Sequence, residues 1–237
     1  MAQRDLGVAA RNGTIDAGLM AVADWFREDA TFELVEPELG VAASEHVRSV
    51  VLFSHEGPTR LDGARVAVTR ESSTSRRLAQ LLAVASWKTA IEWLPEDELA
   101  GDPAEKADGL LLIGDRALEL MADESHGGWS RATDLATEWW TWQSLPFVFA
   151  VWAVRSALPR RERARFGGYV AGSLALGSER LEAIAAEHAG RLGDAETLEV
   201  YLRHFSYRLG PQELEGMRRF RDLLAEHDIQ EYQDARA

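Results

Sequence analysis

The pattern of apolar and polar positions is at its plainest between Phe147 and Arg155, where Phe-Val-Phe-Ala-Val-Trp-Ala-Val runs without a polar side chain. Such a run predicts a strand buried on both faces and internal to a sheet. Pro146 stands at its mouth and brings no N–H, so the approach is expected to be a loop lining something rather than a paired ladder. The aromatic residues Trp139, Trp140 and Trp142 just before it read as a helix that lies over that loop. An ordinary core strand preceded by a tryptophan-rich helix satisfies the same pattern.

Upstream, the spacing predicts a short helix over 4–12, a strand over 15–20, a helix carrying Val22, Trp25 and Phe26, two extended segments at 32–35 and 39–43, and a strand over 47–54. The clearest unit follows. Arg65 to Thr69 reads as a strand, Glu71-Ser72-Ser73-Thr74-Ser75 as a hydroxyl-rich loop, and Leu78, Leu81, Leu82 and Ala85 as one face of a helix starting near Ser73 or Thr74. The free N–H groups at such a helix start, with several hydroxyls beside them, suit a carboxylate or phosphate, although plain capping needs the same residues.

Asp108 to Gly114 predicts a second fully buried strand, and Gly114-Asp115 falls at its carboxyl end, where open α/β sheets bind ligands. Asp115 reads either as a helix N-cap or as a polar group facing that pocket. The stretch from Asp123 to Arg131, with His126, reads as a loose loop. After Arg155 the period becomes helical over 160–176, 178–192, 195–208 and 211–226, with Ser178 and Asp194 as candidate N-caps, Gly193 and Gly210 as stops and Pro211 at a helix start. Alternating strand and helix followed by helices is an α/β pattern, with parallel sheets expected.

Composition narrows the function. The chain has 237 residues, 46% of them hydrophobic, and a net charge of -13, which argues against nucleic acid and anionic membranes as partners. An anionic ligand would therefore need a local positive site. The absence of cysteine excludes disulfides, thiolate metal sites and cysteine nucleophiles. His188, His204 and His227 have no partner at metal-ligand spacing and read as structural or solvated. No apolar stretch approaches the roughly 18 residues of a membrane span, and no apolar leader opens the chain, so a cytoplasmic location is expected.

Leu111-Leu-Ile-Gly-Asp-Arg-Ala-Leu118, and Asp134 through the tryptophans to Leu-Pro-Phe-Val-Phe-Ala-Val-Trp152, resemble the menaquinone biosynthesis family of the futalosine route, and within it the chorismate dehydratases. Val47-Arg48-Ser49-Val50, Arg65 to Val68 with its hydroxyl loop, and Tyr207-Arg208-Leu209-Gly210 fit the same family.

The resemblance implies a two-lobed type 2 periplasmic-binding-protein-like fold with C-terminal helices. It is N-terminally shortened, because the family's opening strand and asparagine-bearing loop have no match here. Residues 1–54 with 148–237 would form one lobe and 55–147 the other. The implied reaction is loss of water from chorismate, without cofactor or metal. Implied substrate-binding positions are Met20 and Ala21 in the loop after the family's second strand, where the family often has proline and a small polar residue, and Ser49 at the lobe junction. To these the resemblance adds Ser73, Thr74 and Ser75 in the carboxylate loop, Gly114 and Asp115 at the strand end, and Pro146 and Phe147 in the cleft wall. No side chain is implied as catalytic base, which leaves a carboxylate of the substrate as the proton acceptor. A non-catalytic carboxylate-binding protein, or an inactive truncated paralogue, would share these features.

Overall fold

The computed structural model describes residues 3–69, 73–98, 103–190 and 192–229. The chain opens with α1 (Gln3–Arg11), β1 (Ala17–Ala21), α2 (Val22–Glu28), β2 (Phe32–Leu34) and β3 (Leu39–Ala43). It then crosses to β4 (Val50–Ser54), β5 (Arg65–Val68), α3 (Ser73–Leu81), β6 (Glu92–Pro95), α4 (Pro103–Lys106), β7 (Gly109–Ile113), α5 (Gly114–Ala122), β8 (Arg131–Asp134) and α6 (Leu135–Gln143). It returns through β9 (Phe147–Arg155) to α7 (Arg160–Ser178), α8 (Leu181–His188), α9 (Ala195–His204), β10 (Ser206–Arg208) and α10 (Pro211–Glu226).

Two five-stranded sheets result, one ordered β1-β9-β3-β10 with β2 also on β9, the other β6-β5-β7-β4-β8. The expected buried strand is β9. Val154 pairs with Ala17 on one side and Glu33 on the other, and Ala150 with Ala21 and Val41, so both backbone edges of β9 are occupied. Its faces are filled as well: Val148, Ala150, Val151, Ala153 and Val154 are each at most 1% exposed. Burying each such valine contributes about 1.5–3 kcal/mol, which is why a run with no polar position tolerates only a central place.

Strand direction departs from the expectation of parallel sheets. Only β5–β6 and β5–β7 run parallel, while every described pair in the first sheet is antiparallel. The reason is where the chain changes sheets. β4 and β9 each start at the end where the sheets meet and run away from it, whereas β1, β3, β7 and β8 run towards it.

Three local expectations also change. Ser178 caps nothing, because it lies in the last turn of α7 and donates to the Leu174 carbonyl at 2.8 Å. The Asp123–Arg131 stretch is a tight turn: the Asp123 carboxylate accepts from Ser125 N and Oγ and from Gly127 N, and Trp129 is buried behind it. The segment read as helix to 208 ends at His204 and adds β10 to the sheet edge.

The interior is shared. One apolar cluster takes Ala43, Val47, Phe147 and Val151 from the first sheet and its crossover, Leu52, Val66 and Leu111 from the second, and Leu78, Trp139 and Phe220 from the helices between. The last turn of α3 widens into π geometry over Leu82–Trp87, and the Trp87 indole N–H donates to Glu138 on α6 at 2.7 Å.

Candidate active site at the junction of the two sheets

Ladder register decides which residues can meet. Ile113 pairs with Val50, Asp134 with Val51 and Val68 with Leu111, so the carboxyl ends of β5, β7 and β8 and the amino end of β4 share one end of the second sheet, where α3 also starts. In the first sheet, Ala43 pairs with Phe147 and Ala21 with Ala150, which puts the ends of β1 and β3 beside the start of β9. These two ends face each other across the crossover 44–49 and the turn 144–146.

The crossover is held by charge as well as by its chain. Asp134 is the N-cap of α6 and its Oδ1 accepts from Ala136 N (2.9 Å) and Thr137 N (3.2 Å), while Oδ2 accepts from Val47 N (2.9 Å) and Arg48 N (2.5 Å). A neutral cap would satisfy the helix but not two further amides. The bond also fixes Arg48 in the left-handed region, at φ 60°, a conformation that costs a non-glycine residue energy and clusters at functional sites.

Ser49 follows at once. It is buried, its carbonyl accepts from Gly114 N at 2.8 Å, its Oγ donates to the Val47 carbonyl at 3.4 Å, and Tyr201 on α9 donates to that Oγ at 2.9 Å. Burial pushes the Tyr201 phenol above its ordinary value; the bond to Ser49 and the nearby Arg48 charge oppose the shift, and Asp115 adds to it. Tyr201 is therefore a neutral donor throughout the working range. Beside it, the His46 and His204 rings stack at 3.9 Å, and His204 Nε2 meets the Ser44 carbonyl at 2.6 Å. His46 is held below its ordinary value, first by burial and then by His204.

Across the junction, α3 begins at Ser73, whose Oγ is buried and has no hydrogen-bond partner among the described residues. A buried hydroxyl without a partner costs about 1–3 kcal/mol, a cost that a bound acceptor removes. Thr74 is fully buried and its Oγ1 accepts from Ala23 N at 3.1 Å, a direct bond between the start of α3 and the start of α2. Beneath lies an aromatic floor: Phe147 packs on Trp139 (5.3 Å), Phe220 (4.9 Å) and Phe149 (4.7 Å), and Trp139 on Phe220 (6.0 Å). Edge-on contacts of this kind add about 0.5–1.5 kcal/mol per pair beyond area burial.

The residues expected at the site divide as follows. Ser49, Ser73, Thr74, Ser75, Gly114, Asp115 and Ala21 all lie at the facing ends of the two sheets, with Ser75 buried and Gly114 at φ 61°. Ser72 lies outside the described residues. Met20 does not line the junction through its side chain, which is fully buried among Ala10, Phe32 and Ala153. Phe147 is 1% exposed and supports the junction from below rather than walling it. Pro146 is covered by α10, where Gly216 approaches so closely that a Cβ there would fall 2.1 Å from the Pro146 carbonyl oxygen. The sequence reading missed Asp134 as a tie and Tyr201 as a partner of Ser49, both separated from their partners by more than 80 positions. Arg48 could have been found, since it lies inside the quoted Val-Arg-Ser-Val motif.

Among the described residues no group of three or more His, Cys, Asp or Glu side chains is placed to hold a metal ion, and no helix is long and apolar enough to cross a membrane. A groove between α7 and β10, lined by Leu39, Leu174, Tyr207 and Arg208, lies at the opposite end of β3 from Ala43 and so away from the junction.

Known proteins share the sequence and the fold of this chain. Chorismate dehydratase of Thermus thermophilus is 33% identical over 232 residues, which cover 88% of this chain and 80% of that protein. Protein AF1704 from Archaeoglobus fulgidus superposes with a TM-score of 0.73 at 18% identity, over 95% of this chain and 84% of its own. XAC2383 from Xanthomonas citri, in a chloride-bound structure, gives 0.51 at 14% identity, over 97% of this chain and 84% of its own. The α/β arrangement of two five-stranded sheets is thus a fold shared with solved structures. With the family model described as menaquinone biosynthesis matching residues 4–226, the chain belongs to that family.

Proposed function

We propose that this chain is a chorismate dehydratase, a hydro-lyase that removes water from chorismate to give 3-[(1-carboxyvinyl)oxy]benzoate on the futalosine route to menaquinone, in the cytoplasm. The observation that carries the reading, beside the family, is the pairing of two donor sets at one junction. The start of α3, with the unpartnered Ser73 Oγ, suits one carboxylate. Ser49 and the neighbouring Arg48 suit a second. Arg48 is the local positive charge that a dianion needs on a chain of net charge -13. On this reading the lobes are 1–54 with 148–237 and 55–147, with β4 laid into the sheet of the second.

The chemistry asks little of side chains. The C–H bond at the ether carbon breaks, its electron pair forms the ring double bond, and the neighbouring hydroxyl leaves, so the ring becomes aromatic. The carboxylate of the enolpyruvyl group takes the ring proton and returns it to the departing hydroxyl, which leaves as water. The protein's part is to hold both carboxylates so that this group reaches the proton, and to keep bulk water out. The aromatic floor and the buried hydroxyls serve those two ends.

The test is direct: incubate the full chain with chorismate and follow the ultraviolet absorbance of the aromatic product. Turnover dependent on enzyme concentration supports the dehydratase. Saturable binding of chorismate without product contradicts it and points instead to a non-catalytic carboxylate-binding protein.

A further inference from the structure

The hydrogen bonds around Ser49 admit one assignment of protons. A carbonyl only accepts, so the Ser49 hydroxyl hydrogen goes to the Val47 carbonyl, at the long distance of 3.4 Å. Ser49 then has no second hydrogen, and the Tyr201 hydroxyl, 2.9 Å away, must be the donor to Ser49 Oγ. With one lone pair of Ser49 occupied by Tyr201, the hydroxyl can swing only between the Val47 carbonyl and an acceptor in the junction. A carboxylate is such an acceptor, and a short charge-assisted bond to it is roughly twice as strong as a neutral one.

Tyr201 is itself well fixed. Its ring meets Phe205 edge-on at 5.0 Å, and one turn along α9 His204 grips the Ser44 carbonyl, so α9 holds both ends of the crossover. We propose that Tyr201 is a positioning residue for the elimination: it presets Ser49 as a hydrogen-bond donor to a substrate carboxylate. The inference rests on the dehydratase reading above.

The experiment is a double-mutant cycle on the full chain, with kcat and KM for chorismate measured for wild type, Tyr201→Phe, Ser49→Ala and the double variant, and thermal unfolding recorded for each. Tyr201→Phe removes one oxygen and keeps the ring packing. It is expected to raise KM about tenfold, the scale of one lost hydrogen bond to an oriented donor, with kcat within about twofold, the pattern of lost uniform binding. Added to Ser49→Ala it should cost nothing further, because the residue through which it acts is gone. Ser49→Cys keeps a donor but accepts poorly from a phenol, and should match the KM of Tyr201→Phe. Losses that multiply in the double variant, or wild-type KM in Tyr201→Phe or Ser49→Cys, overturn the positioning role while leaving the dehydratase standing. Absence of turnover in the wild type overturns both.

Discussion

Asp134 offers the sharpest test of how the junction is built, because one carboxylate serves two structural tasks. Replacing it with alanine strands the two helix amides of α6 and the two crossover amides of Val47 and Arg48. Loss of the N-cap costs about 1 kcal/mol. Each crossover amide loses a bond to a charged acceptor, about 1.5–3 kcal/mol, and the lower end applies because the site is half-buried and water can reach it. The sum is about 4 kcal/mol. For a chain of this size each kcal/mol moves the unfolding midpoint by about 2–4 °C, so Asp134→Ala should lower Tm by about 8–16 °C. Asp134→Asn should fall between wild type and alanine, since its one carbonyl oxygen can serve either the helix pair or the crossover pair, and its NH2 then opposes the other. Calorimetry or circular dichroism melts of the three proteins read this directly. A loss below about 2 °C for the alanine variant, or an asparagine variant as poor as alanine, would refute the account of Asp134 as a tie between helix and crossover.

The other expectations are briefer. Arg48→Gly relieves the left-handed strain at φ 60° and removes the cation, so the protein should melt no lower, and up to about 1 kcal/mol more stably, while KM for chorismate rises. Stability and KM worsening together would mean that the guanidinium is structural. The His46 pKa is lowered in the folded chain, so the unfolded chain binds the extra proton first and stability falls as pH drops below the ordinary histidine value of 6.5 towards the folded one. Melts from pH 8 to 5 should show that loss, and His46→Gln should flatten it. The groups facing His46 are His204, Asp134, Arg48 and Glu45, and the two carboxylates oppose the shift. Gly216→Ala would push a methyl to within 2.1 Å of the Pro146 carbonyl and force α10 off the turn that leads into β9, at about 1–3 kcal/mol or more. A melt unchanged by that substitution would contradict the close packing.

What the sequence made legible was local. β9 could be read because eight consecutive apolar residues admit only a strand buried on both faces, and the start of α3 because Ser73 and Thr74 precede a clean helical face. Gly114 could be placed because a buried strand that ends in Gly-Asp has to turn there. Strand direction was not legible, since the hydrophobic pattern of β9 is the same whichever way it runs, and only the double crossing between sheets makes it antiparallel to β1 and β3. β8 and β10 were missed because Arg-Ala-Thr-Asp and Ser-Tyr-Arg are too short and too polar to show a period, and their ladders to β4 and β3 define them instead.

The site followed the same division. Ser49, the α3 hydroxyls and Gly114 are carried by motifs and stand at the facing ends of the sheets. The roles of Asp134 and Tyr201 depend on partners 87 and 152 positions away, and no spacing rule reaches that far. Met20 and Phe147 entered the expected site through the family resemblance, but in a strand alternate side chains face opposite ways, and burial sends both into packed clusters.

The claim beneath all of this is that a small dianion is held between the start of α3 and Ser49. A crystal structure of the full chain with 3-[(1-carboxyvinyl)oxy]benzoate bound measures it most directly. The account expects one carboxylate within hydrogen-bond distance of Ser73 Oγ and the other on Ser49 Oγ, with the Val47 carbonyl released. Density for the ligand in the groove between α7 and β10, or anywhere other than where the two sheets meet, would contradict it.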